Sequence, residues 1–353
     1  MPRHLTDIPA PVMDLLREGT VIPAHPLALG EGNALDERRQ RALTRYYLDA
    51  GSGGIAVGVH TTQFEIREHG LYEPVLNACA KAAADWTDRP LVKIAGLVGK
   101  TDQARREAQI ARDLGYHAGL MSLAAFKGAS IDEMIEHCRD VAGEIPLFGF
   151  YLQPAVGGIK LPFEFWRRFA EIENVVGVKM APFDRYGTLD VLRGVAAARA
   201  EDRVVLYTGN DDHIVGDLLS PFNIVRNGET VTLRIRGGLL GHWSVWTKAA
   251  VELHIRCRVA AQSGSIPADL LALDSEVTDC NSALFDVANG FGGAIAGCHQ
   301  VLLGQGLLTH LRCLSSHEKL GPGQAEEIAR VAREHSHLTD DDFVAQNLER
   351  WLA

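Results

Sequence analysis

Apolar residues along this chain gather in short runs separated by longer stretches of helical period. The runs 20–26 (TVIPAHP), 53–62 (GGIAVGVHTT), 91–97 (LVKIAGL), 117–122, 146–151 (PLFGFY), 174–184 (NVVGVKMAPFD) and 203–208 (RVVLYT) are too short for helices. Their near-continuous apolar character predicts strands buried on both faces, as in a parallel sheet. Between them lie the helical stretches 36–49, one ending near Asp85, one opening at Thr101 or Asp102, 130–141, 162–172 and 188–198, with a short helix from Asp211. Ser130 and Glu133 have the spacing of a capping box. An eighth strand is predicted within 231–241, before a helix over 243–261. The Asn227-Gly228 pair, between two β-like runs in 223–232, marks a small hairpin inserted ahead of it.

Eight strand and helix pairs at this spacing predict a (β/α)8 TIM barrel over residues 1–262, with a short N-terminal lead. From 263 to 353 the pattern is helical only (268–277, 281–289, 293–311, 323–334 and 340–352), a helical C-terminal extension packed on the barrel. A doubly wound open sheet would use the same alternation, but no strand is followed by the GxGxxG fingerprint of a dinucleotide site. No cofactor is implied.

Composition narrows the partners. The formal net charge of -10, with no basic block, argues against nucleic acid and leaves small molecules. The six cysteines form no CxxC pair or metal spacing and are expected as reduced, buried thiols. No cleavable apolar leader and no run of eighteen apolar residues appears, so a cytoplasmic protein without a membrane span is expected.

One lysine interrupts the sixth strand near its C-terminal end. Strand alternation puts Val175, Gly177 and Lys179 on one face, the glycine leaving room for the lysine or a ligand. Burial disfavours the ammonium and makes Lys179 a candidate nucleophilic amine; a lysine at a strand end can instead snorkel to solvent. In a barrel of this type the chemistry gathers at the C-terminal ends of the strands. There stand His25, His60, Thr61, Thr62, Gly96, Ser122, Tyr151, Lys179, residues 208–212 with Gly209 and Asn210, and the Gly237-Gly238 pair. Lys93, third in its strand, is expected toward the bottom half or the helix side. Asp211 and Asp212 are candidate metal ligands, although acidic residues at a helix N-terminus need no metal.

HTT after the second strand, YLQP after the fifth, GVK in the sixth and GND after the seventh together resemble the dihydrodipicolinate synthase and N-acetylneuraminate lyase family of class I aldolases, over residues 20–257. The resemblance implies that Lys179 forms an imine with a 2-oxo acid, Tyr151 relays protons, Thr61 is its hydrogen-bond partner and Thr62 belongs to a carboxylate site. Their place at the strand ends makes His60, Gly209, Asn210 and Gly238 candidate substrate-binding positions, and the resemblance implies a homo-oligomer.

Three departures stand out. The loop reads HTTQF where the family carries GTTGE. Phe126 falls near the family's tyrosine from the neighbouring subunit, and Val156 where the synthases carry an arginine. These changes suit a larger or less anionic partner, aromatic or sugar-derived. The expected function is a lyase, aldolase or hydratase-aldolase acting on a 2-oxo acid or related carbonyl compound. Its rivals are a non-catalytic binding barrel and a metal-dependent lyase using Asp211 and Asp212.

Overall fold

The eight apolar runs become eight parallel strands of one closed sheet in the computed structural model, which describes residues 1–353. In chain order these are β1 (Val21–Pro23), β2 (Gly54–Val57), β3 (Val92–Leu97), β4 (Ala118–Met121), β5 (Leu147–Leu152), β6 (Val175–Ala181) and β7 (Val205–Thr208). A two-stranded antiparallel hairpin, β8 (Pro221–Arg226) and β9 (Glu229–Arg234), precedes the last barrel strand, β10 (Gly237–Leu240). Asn227 and Gly228 turn it with φ of 51° and 84°, the left-handed pair a tight hairpin requires. The barrel closes where β1 pairs with β10 on one side and meets β2 through the Ala24–Ala56 bridge on the other.

Two apolar layers follow from the period of the strands. Ile22, Ile94, Leu120, Phe148 and Phe150 point into the barrel, while Val57, Leu97, Met121, Val178 and Met180 face the surrounding helices. The helix Ala10–Glu18 adds Val12, Met13 and Leu16 to the inner cluster and plugs the bottom, where the Tyr207 hydroxyl donates to the Leu16 carbonyl at 3.0 Å. One end of the barrel is thereby sealed, and only the C-terminal ends of the strands remain open to a ligand.

The alternation within β6 is broken by a bulge, since Leu147 of β5 pairs with Val175 but Phe148 already pairs with Gly177. Val175 therefore joins the outer layer and Val176 the inner one. Gly177 and Lys179 do share the inner face, but the Phe148 ring occupies the space the glycine leaves: a Cβ on Gly177 would lie 2.6 Å from it.

The C-terminal helices also differ from the sequence pattern. The two expected over 268–277 and 281–289 are one helix, Ala268–Leu284, because nothing between them breaks it. The helix expected to reach residue 311 ends at Gly304, and Gly306 at φ 77° turns the chain away. Helices Gln324–Glu334 and Asp341–Leu352 form as expected. The last of these packs Trp351 against Tyr46, and Asp340 accepts the Tyr46 hydroxyl at 2.7 Å. No helix is long and apolar enough to cross a membrane.

Candidate active site

At the open end of the barrel lies a small cavity, walled by β5, β6 and the loops after β2, β7 and β10. Lys179 projects into it, with a residual exposure of 7 %. Its ammonium has no ion-pair partner within 4.0 Å and lies 4.5 Å from the centre of the Phe150 ring, its cross-strand neighbour. Gly209 fits flat against the lysine stem, where a Cβ would come within 2.5 Å of Lys179 Cε. Burial pushes the Lys179 amine below the usual lysine range, and the nearby Asp211 carboxylate partly offsets that.

Asp211 and His60 are the other titratable groups of the wall. Asp211 is buried, and its Oδ1 accepts the backbone N–H of His242 at 3.2 Å. Loss of hydration raises its carboxyl above the ordinary range, against the pull of Lys179. His60 is half-buried in the turn His60–Thr62, and burial with the charge of Lys179 lowers its imidazole to about 4, so the ring is neutral near pH 7. Thr61, buried beside it, also lines the cavity.

Other expected site residues have structural work instead. The Thr62 hydroxyl donates to the His25 carbonyl at 2.6 Å and accepts from the Gly58 N–H at 3.0 Å, tying the end of β2 to the end of β1. Asn210 accepts from Phe183 N–H and donates to Thr188 and Asp217, all behind the wall. Gly238 faces outward beneath Trp243, whose ring a Cβ would strike at 2.5 Å, and Gly241 takes the position at the cavity. His25 is wholly buried between the Pro26 carbonyl and the Thr44 hydroxyl.

Tyr151 stands outside the cavity. Phe148, Phe150 and Leu152 take the inward positions of β5, so strand period turns Tyr151 toward the helices, where it packs on Trp166 with ring centres 5.4 Å apart. Its partner across the sheet is Met180, an outer-layer residue, and its hydroxyl meets the Leu161 N–H at 3.4 Å. The YxxP letters match the family pattern one residue out of phase with Lys179. Lys93 lies on the outer face, the helix side expected for it, close to Gly115 and Arg3.

The far wall is apolar. Phe183, Phe285 and Phe291 converge there, the Phe183 and Phe291 rings edge to face at 5.9 Å, and Val156 lines the same cavity. No arginine contributes to it. Phe285, Phe291 and Ala294 belong to the C-terminal helical region, and no strand-end rule applied to the sequence points to them. Asp211 alone of the two candidate metal carboxylates faces the cavity, and nowhere do three His, Cys, Asp or Glu side chains gather to hold a metal ion.

Known proteins resemble this chain in sequence and in fold. The chain is 24% identical over 207 residues to a 4-hydroxy-tetrahydrodipicolinate synthase of Halorhodospira halophila, covering 57% of this chain and 66% of that protein. It is 26% identical over 203 residues to an N-acetylneuraminate lyase of Citrobacter koseri, covering 57% and 65%. The chain thus spans slightly less than two thirds of the length of these relatives. The fold matches the chloride-inhibited dihydrodipicolinate synthase of Acinetobacter baumannii complexed with pyruvate, with a TM-score of 0.73, 18% identity, and 90% of this chain and 99% of that one covered. The sequence model of the Dihydrodipicolinate synthetase family matches residues 19–221, which include Lys179 and every strand through β7, and the chain belongs to that family.

Proposed function

We propose that the protein is a class I lyase, an aldolase or hydratase-aldolase, that holds a 2-oxo acid or related carbonyl compound as a Schiff base on Lys179. The observation that carries this reading is a single buried amine, without an ion-pair partner, at the open end of a barrel otherwise sealed. An amine whose ammonium form is disfavoured by burial is available for attack on a ketone carbon near neutral pH. The iminium so formed accepts the electron pair of a breaking carbon–carbon or carbon–hydrogen bond and becomes an enamine. Pyruvate in the Acinetobacter structure and the lyase name of the Citrobacter relative support a 2-oxo acid.

The remainder of the substrate meets Phe183, Phe285, Phe291 and Val156, with no guanidinium opposite it. A neutral, apolar or aromatic body fits that wall better than a second carboxylate, which would enter without a cationic partner. Thr61 and His60 add a hydroxyl and a neutral imidazole to the same cavity for the acid group or its carbonyl oxygen. A cytoplasmic location and assembly as a homo-oligomer belong to the same reading.

Borohydride reduction in the presence of pyruvate and a panel of larger 2-oxo acids, read by intact mass, tests it. An adduct of the expected mass on the unaltered protein and none on Lys179→Ala is the expected result. Absence of any adduct across the panel, or equal labelling of Lys179→Ala, would refute the imine on Lys179.

A further inference from the structure

We propose that Asp211 is the acid–base group of this site, giving a proton to the hydroxyl that leaves during imine formation and taking one back when the substrate's carbon–carbon bond opens. This rests on the Schiff-base reading of Lys179. The position opposite Lys179 on β5, from which a phenol could reach the amine, holds Phe150, which has no proton to move. Tyr151 lies in the outer layer. The proton must therefore pass through another wall residue.

The chain brings Asp211 there by a short route. Thr208 closes β7 opposite Met180, the residue after Lys179; Gly209 then lies on the lysine stem, and Asp211 follows two residues later. The turn thus folds around the head of the lysine. The His242 N–H holds Oδ1, whereas Oδ2 makes no hydrogen bond to another residue, and Asp211 lines the cavity. No ion pair within 4.0 Å joins Asp211 to Lys179, and the two groups line the same cavity without neutralising one another by contact. His60, the other candidate, is a neutral imidazole that would leave the iminium without a counter-charge.

The protons and charges balance. The neutral Lys179 amine attacks the ketone carbon and forms the C–N bond, and one amine proton passes to the oxygen to give a carbinolamine. The Asp211 carboxylic acid protonates that hydroxyl, the C–O bond breaks, water departs and the nitrogen lone pair closes the iminium, leaving carboxylate beside cation. The carboxylate then takes the proton of the substrate's β-hydroxyl, the carbon–carbon bond breaks into an aldehyde, and its electron pair neutralises the iminium as an enamine. Asp211 is again a carboxylic acid. Burial acts on both groups in the direction this needs, lowering the amine and raising the carboxyl so that their proton affinities approach one another.

The groups facing Asp211 are Lys179 from β6, His60 from the loop after β2, Asp212 on its own turn, His242 after β10 and Cys298 from the helix Ala294–Gly304. His242 and Cys298 are held neutral by burial, His242 at about 4 and Cys298 at about 12. Lys179 and Asp211 are then the pair that shapes the pH profile.

The test is the rate of borohydride-trapped adduct with pyruvate against pH, for the unaltered protein, Asp211→Asn and Asp211→Glu. Asn retains an oxygen for the His242 N–H, so the fold is preserved while the proton is lost. Expected are a bell-shaped profile in the unaltered protein, a fall of about 10²- to 10⁴-fold in Asp211→Asn with the alkaline limb gone, and partial recovery in Asp211→Glu. An unchanged rate and profile in Asp211→Asn overturns the proposal. Should that variant not fold, a profile of the unaltered protein that rises and stays flat at high pH overturns it equally. A wild-type protein that traps nothing refutes the Schiff-base reading itself, a different failure from a wild type that traps and an Asn variant that traps as well.

Discussion

Gly209→Ala perturbs the site through geometry alone. An alanine Cβ there would lie 2.5 Å from Lys179 Cε, 3.0 Å from Lys179 Cγ and 2.8 Å from Ala181 Cβ. Carbon atoms settle at about 3.5–4.0 Å, so the lysine stem must retreat by about 1 Å. Ala181 is fixed in β6, whereas the lysine head faces open space, so the lysine is the group that gives way. Overpacking of this kind costs about 1–3 kcal/mol, which leaves a chain of this size folded. A displacement of about 1 Å in a reacting group lowers a rate by about 10²-fold. The initial rate of borohydride-trapped pyruvate adduct, measured with the urea midpoint on the same preparation, reads both effects. A variant that traps at the unaltered rate with its stability preserved would refute the placement of the Lys179 stem against the end of β7.

Two further outcomes follow from the same geometry. Tyr151→Phe loses only the 3.4 Å contact from the Leu161 N–H and should trap pyruvate as the unaltered protein does; a large fall would put the phenol back at the amine. His25, His242 and His299 are buried and lowered to about 4, whereas the unfolded chain binds protons from about 6.5. Between those values the unfolded state holds more protons, so stability present above 6.5 is lost as the pH falls toward 4, by about 1.4 kcal/mol per pH unit for each such histidine. Urea titrations stepped through that window should trace the fall, and a flat profile would contradict the burial of these rings.

The strands, the inserted hairpin and the lysine were legible because each is written in local chemistry. Continuous apolar runs mark strands covered on both faces, Asn227-Gly228 supplies the left-handed turn, and Lys179 is conspicuous where neighbouring residues are apolar. The phase of β5 was not legible. Phe148, Phe150 and Tyr151 are all suited to a core, and letters alone do not say which of the two faces looks inward; Gly149, packed on Phe169 and Trp166, identifies the outer face only once the helices are in place. The bulge in β6 likewise arises from pairing with β5, not from any residue in β6 itself. Thr62 and Asn210 carry the right functional groups but spend them on backbone ties and, for Asn210, on the Thr188 and Asp217 side chains.

The C-terminal helices give the protein a division of labour along its length. Lys179, Asp211, His60 and Thr61 lie within residues 19–221, the stretch that matches the family, whereas Phe285, Phe291 and Ala294 come from beyond it. Lys179 and one part of the apolar wall, Phe285 and Phe291, are thus encoded in separate segments, while Phe183 and Val156 complete that wall from within the family stretch. On the Schiff-base reading proposed above, exchanging the loop after the helix Ala268–Leu284 alters the part of the wall that Phe285 and Phe291 supply while Lys179 keeps its place in β6.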